Sequence, residues 1–158
     1  MRRLVGVLLI ASTLALGAPS DKTSPFSIRI SADKSEVKAG SDIFIKIQLT
    51  NISNHTVDCT RVPSNGSDIA YQYDVRDLSG NPAAKVPKEH PEIGAPFHVW
   101  PCVVKPGEST TLDENLISRE YDMTRPGKYA ISVSRFIEGD RKEAGVVKSN
   151  VITVTVIP

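Results

Sequence analysis

The sequence predicts an all-β protein: a single antiparallel β-sandwich of about seven to nine strands, with almost no helix. Three observations carry this expectation. Apolar and polar residues alternate in several short windows, the pattern of a strand buried on one face. Clusters of Gly, Pro, Asn and Asp separate those windows and supply turn chemistry. No window sustains a 3.6-residue apolar period.

In chain order, Phe26 to Ser31 alternates with Phe26, Ile28 and Ile30 inward. Lys38-Ala39-Gly40-Ser41 is a turn. Asp42 to Asn51 is the strongest early strand, with Ile43, Ile45, Ile47 and Leu49 on one face and Phe44, Lys46 and Gln48 on the other. Asn51 to His55 reads as a turn, and Thr56 to Cys59 as a short return strand. Ile69 to Arg76 alternates again, with Ile69, Tyr71, Tyr73 and Val75 buried, and Leu78 to Pro82 closes it.

From Pro87 to Pro101 the pattern fails. Pro87, Pro91, Pro96 and Pro101 exclude a central strand, because proline cannot donate to a ladder. Extended structure resumes at Cys102-Val103-Val104. Lys105-Pro106-Gly107-Glu108 turns the chain into a strand over Ser109 to Leu116. The less regular stretch to Thr124 has room for one helical turn around Tyr121-Asp122-Met123.

The last quarter organises the chain. Arg125-Pro126-Gly127 feeds a strand in which Tyr129, Ile131 and Val133 share a face. Val147 to Val156 is a β-branched run suited to a pleated surface. The charged connection Glu138 to Glu143 is expected to be the tip of a long hairpin between them.

The N-terminus reads as a leader. Arg2 and Arg3 precede an apolar run from Leu4 to Leu16, and Ala15-Leu16-Gly17 supplies small residues at the −3 and −1 positions of a cleavage site, with cleavage expected after Gly17 or Ala18. The run is about 13 residues, too short to span a bilayer core as a helix. The expected organisation is a cleaved signal peptide at 1–17, a flexible leader at 18–25 and a sandwich at 26–158. The destination is periplasm, cell envelope or medium. The full chain has 158 residues with 19 basic and 18 acidic side chains, and losing Arg2 and Arg3 leaves a net charge of −1. A near-neutral chain has no bulk attraction for nucleic acid or anionic membrane. No membrane span is expected in the mature chain, and a monomer is expected.

Cys59 and Cys102 are the two cysteines. An even count in an exported chain favours one bridge, with two buried thiols as the alternative.

Two stretches resemble bacterial immunoglobulin-like and fibronectin-III-like sandwiches: Lys105-Pro106-Gly107-Glu108 before a strand, and Arg125-Pro126-Gly127-Lys128-Tyr129 opening the next-to-last strand. The resemblance implies that Tyr129 occupies the tyrosine corner, with its hydroxyl bonded to backbone near Tyr121 to Thr124. Tyr71 to Gly80 is similar to the strand and turn of BsuPI-type proteinase-inhibitor domains. Two departures separate the chain from antibody-type domains. Ile131 stands where those carry a Cys, and Trp100, the single Trp, lies in the Pro-rich loop.

Catalytic chemistry finds little support. His90, Glu92, His98 and Cys102 lack the tight pair spacing of a zinc site, so no metal and no cofactor are expected. No G-x-S-x-G occurs. Cys102 with His98 lacks any marked oxyanion donor. Asp74 and Asp77 fall on opposite strand faces, as do Asp113 and Glu114. Asn51-Ile52-Ser53, Asn54-His55-Thr56 and Asn65-Gly66-Ser67 fit the glycosylation pattern, but their residues are also ordinary turn formers. The Pro-rich loop, with Phe97, Val99 and Trp100, is the candidate interaction surface, since Trp anchors are enriched at binding hot spots. The expected function is a non-catalytic protein-interaction or accessory module of the cell envelope. The alternatives are a BsuPI-like proteinase inhibitor and an enzyme of unassigned type.

Overall fold

The computed structural model describes residues 24–60, 63–64, 67–68, 71–87, 99–137 and 145–158. The expected signal peptide, Ile69, the sequon at Asn65, the loop residues His90, Phe97 and His98, and the hairpin tip at 138–143 lie outside the described residues.

Strands dominate. They are β1 (Phe26–Ala32), β2 (Glu36–Lys38), β3 (Phe44–Asn51), β4 (Val57–Asp58), β5 (Pro63–Ser64), β6 (Ser67–Asp68), β7 (Tyr71–Asp77), β8 (Val103–Val104), β9 (Ser109–Leu116), β10 (Gly127–Ile137), β11 (Gly145–Lys148) and β12 (Ile152–Ile157). Eight of them build two sheets. The first has the order β1-β3-β9. In the second, β7 lies along one side of β10, β11 and β12 share its other side, and β2 lies beyond β12. The strand β2 runs parallel to β12, the one parallel pair among the described residues. Two short ladders, β4-β8 and β5-β6, stand outside the sheets.

Period-2 alternation explains which faces meet. Phe26, Ile28 and Ile30 from β1, with Ile45, Ile47 and Leu49 from β3, point inward. Val75, Ile131, Val133, Val154 and Val156 face them from the other sheet. Each such side chain, taken from water to the interior, contributes roughly 1.5–3 kcal/mol. Turn chemistry sets the strand lengths. Gly80 and Gly107 adopt φ of +82° and +76°, a region that side-chain-bearing residues rarely enter.

The β-branched run at the C-terminus is not one strand. Ser134 pairs with Lys148 and Ile131 with Ile152, so one extra residue sits between the two ladders. Ser149 fills the break. Its N–H donates to the Val133 carbonyl at 2.8 Å, and its hydroxyl accepts the Val133 N–H at 2.9 Å. The bulge aims the Asn150 amide across to the first sheet. Asn150 Oδ1 accepts the Ile30 N–H at 2.8 Å, and Asn150 Nδ2 donates to the Ile30 carbonyl at 3.1 Å. A side chain thus caps the outer edge of β1 and ties the two sheets together.

The helical turn also differs from expectation. It is a single 3-10 turn at Ile117–Arg119, not one around Tyr121-Asp122-Met123. Ile117 is fully buried and anchors the turn. Tyr121 is used as extended structure instead. It bridges Lys85, and its hydroxyl donates to the Tyr73 carbonyl at 2.6 Å.

Tyr129 is buried at the start of β10, and its hydroxyl donates to the Arg125 carbonyl at 2.9 Å. The acceptor lies one residue beyond the expected span of Tyr121 to Thr124. The separation of four residues across Pro126-Gly127 brings that carbonyl within reach of the hydroxyl. Burial raises the Tyr129 pKa, so the phenol stays protonated and donates. Tyr129→Phe should lower stability by about 1 kcal/mol in urea denaturation, the usual net worth of one hydrogen bond. An unchanged midpoint would show that this bond contributes nothing.

Candidate functional site

The candidate surface begins at a covalent anchor. The strands β4 and β8 form a two-residue ladder in which Val57 pairs with Val104 and Asp58 with Val103. Val57 and Val104 point into the core. One residue further on, the Cys59 N–H donates to the Cys102 carbonyl at 2.9 Å. Cys59 and Cys102 form a disulfide, with Cα atoms 4.8 Å apart. That separation lies inside the range a disulfide requires. Cys59 is fully buried and Cys102 half-buried.

The same alternation that buries Val104 turns Val103 outward, 67% exposed. Val99 and Trp100, on the approach to Cys102, are 57% and 50% exposed. Trp100 therefore does not close the end of the sandwich as a buried lid, although it has an interaction of its own. Phe97, the other expected member of the surface, lies outside the described residues.

Asn51 holds this end together from within. It is fully buried. Its Nδ2 donates to the His55 carbonyl at 2.7 Å and to the Val104 carbonyl at 2.8 Å. Its Oδ1 accepts the Ser53 N–H at 2.9 Å and the Ser53 hydroxyl at 2.7 Å. Every hydrogen-bonding position of the amide is used, as a buried polar group requires. An amide so enclosed cannot carry a glycan, so the first sequon is structural. Its Ser at the third position serves the turn.

Arg135 was not singled out from the sequence. It extends the inward row of Tyr129, Ile131 and Val133, and that period was the available signal. Its guanidinium lies 5.7 Å from the Phe26 ring centroid and 5.2 Å from that of Tyr71. It also donates to the Tyr71 hydroxyl at 2.9 Å. The aromatic faces attract the cation, and the alkyl stem covers apolar surface at the rim of the core. The Asp58 carboxyl is held below its ordinary pKa by the Thr60 side chain, then by the Thr60 backbone N–H, with Arg135 adding a smaller attraction.

The described residues leave an exposed apolar segment, Val99, Trp100 and Val103, beside the disulfide. The Cys102 sulfur is bonded to Cys59, so it supplies no thiolate. Among the described residues no group of three His, Cys, Asp or Glu side chains is placed to share a metal ion. The exposed Asp74 carboxylate is paired with Arg76 at 2.9 Å. No helix among the described residues is long and apolar enough to cross a membrane.

No protein-family model matches the chain. No curated protein matches it either. Solved structures that resemble it include the sporulation control protein Spo0M from Bacillus subtilis, at 12% identity and a TM-score of 0.45, with 85% of this chain and 50% of that one covered. A β-glucosidase from Listeria innocua in complex with isofagomine aligns at 16% identity and a TM-score of 0.44, covering 84% of this chain and 16% of that one. The β-glucosidase EmGH1 from Erythrobacter marinus aligns at 10% identity and a TM-score of 0.43, over 84% and 15%. The chain thus spans half the length of Spo0M and a small fraction of the glucosidases. At these scores the neighbours carry no inference about activity.

Proposed function

We propose that the chain is an exported, non-catalytic immunoglobulin-like module that binds another protein through the surface around Trp100. The observation that carries this reading is the disulfide-anchored segment Val99 to Val103. It holds Val99, Trp100 and Val103 outward while their neighbours Val57 and Val104 are buried. A bridge beside the surface lowers the entropy lost when a partner orders it.

The immunoglobulin-like part rests on strand order. Taken in chain order as A, B, C, E, F and G, the strands β1, β3, β7, β9, β10 and β11–β12 give an A-B-E sheet facing a C-F-G sheet. That is the division of such sandwiches. The Tyr129 hydroxyl bond at the start of the F-type strand supports it. Export is supported by the basic and apolar N-terminal pattern and by the disulfide.

Trp100→Ala separates a surface role from a packing role. A half-exposed Trp should cost well under the roughly 3–5 kcal/mol of a buried aromatic truncation, so the thermal midpoint should move little. A photo-crosslinking residue at Val99 in exporting cells should then give a discrete adduct that Trp100→Ala removes. A large midpoint drop, or no adduct, overturns the reading. Inhibition of any member of a panel of serine, cysteine and metalloproteases would favour the BsuPI-like inhibitor instead.

A further inference from the structure

The outer face of the β1-β3-β9 sheet holds a cleft of about 240 Å³ lined by Arg29, Ile30, Ser31, Lys46, Gln48 and Thr111. Register explains the grouping. Arg29 stands opposite Gln48, which stands opposite Thr111, and Ser31 stands opposite Lys46. Period 2 turns these five side chains to one face. Ile30 is buried in the core, so it lines the cleft through its backbone, which Asn150 holds in place.

The chemistry of the lining is one-sided. Guanidinium, ammonium, carboxamide and two hydroxyls supply more donors than acceptors. The lining residues include two cations, no carboxylate and no aromatic ring. A neutral sugar would find no ring to stack on, whereas an anion would meet convergent donors. Lys46 has an interaction of its own, so the principal open cation is Arg29. The Arg29 guanidinium has no hydrogen-bond or ion-pair partner among the described residues. The opposite sheet shows the contrast. There the outward Arg76 is neutralised by Asp74 at 2.9 Å and also donates to the Gly80 carbonyl at 3.0 Å.

We infer that this cleft binds an oxyanion, with Arg29 as its main clamp and Gln48 and Thr111 completing the donor set. The planar fork of a guanidinium matches the paired oxygens of carboxylate, sulfate or phosphate groups. The ligand is either a small free anion or an acidic group on a saccharide. The site is separate from the Trp100 surface, and its fate does not depend on the function proposed above.

Backbone amide spectra of the isotope-labelled protein test it. Inorganic sulfate, titrated against chloride at constant ionic strength, is one probe, and an oligomer of galacturonate is the other. Saturable shifts confined to residues 29–31, 46–48 and 111 are expected with at least one of them. Arg29→Ala should weaken that binding roughly tenfold, the loss of one charge-assisted hydrogen bond. Arg76→Ala should leave it unchanged. Tighter binding of the oligomer identifies a saccharide ligand, and equal or tighter binding of sulfate a small anion. Non-saturating shifts spread over exposed Lys and Arg residues, or unaltered affinity in Arg29→Ala, would overturn the assignment.

Discussion

Replacing both Cys59 and Cys102 with serine should lower the stability of the folded chain by about 4 kcal/mol. The bridge joins residues 43 apart in sequence, and closing a loop of that length in the unfolded chain accounts for a loss of about that size in the chain-entropy picture. The bridge also has a local setting. Cys59 is fully buried, and its N–H bond to Cys102 closes a ladder of only two residue pairs, which has little strength alone. Urea denaturation of the oxidised protein, the reduced protein and the double serine variant measures the effect. The last two should agree with each other and fall well below the first. Coincident transitions for all three would show that the bridge contributes no stability.

Asn51→Ala should cost about 3 kcal/mol, because the Val104 carbonyl loses its donor in a buried setting and the turn to His55 loses its internal brace. The more telling variant is Asn51→Asp. It keeps the shape and the acceptor for Ser53, but it places a carboxylate oxygen against the two carbonyls that Nδ2 now serves. Burial and facing carbonyls disfavour the ionised form, so the folded-state pKa of the new carboxyl is raised above its unfolded value. The folded state then binds the proton more tightly, and stability falls as pH rises above the unfolded pKa. Relative to the parent protein, Asn51→Asp should be least damaging near pH 4 and progressively worse toward about pH 7. A stability difference that does not change with pH would mean that the Asn51 site is open to water.

The alternation of Ile43 to Leu49 and of Tyr129 to Val133 made the sandwich legible, because a strand with one buried face writes its burial directly into a period of two. The turns were legible for a similar reason, since Gly80 and Gly107 are demanded by local backbone geometry alone. The bulge at Ser149 was not legible. A β-branched run carries no mark of the one-residue slip that pairing with β10 imposes. Asn51 was read as a strand end, turn former and sequon, and Asn150 as one more residue of the β-branched run, because their roles depend on carbonyls far away in sequence, at Val104 and Ile30. The single turn was placed too late because the apolar anchor at Ile117 is isolated, and one buried side chain makes no period. The outward position of Val103 follows from the β4-β8 ladder, which is too short to leave a pattern.

The parallel pairing of β2 with β12 also decides how the domain carries tension. The strand β12 is the last strand of the sandwich, and β2 lies close to its start. A pull on the two ends drags β2 toward its N-terminus and β12 toward its C-terminus. Parallel neighbours drawn this way slide along each other, so the bonds between Glu36 to Lys38 and Thr155 to Ile157 bear load together and not in succession. The bonds from the Thr155 N–H to the Ser35 carbonyl and from the Ala39 N–H to the Ile157 carbonyl share that load. By contrast, β1 can peel away from its Phe26 end until Ile30, where the grip of Asn150 interrupts the unzipping. Forced unfolding is governed by the barrier to the first rupture, and here the bonds of this one parallel pair, broken together, set that barrier.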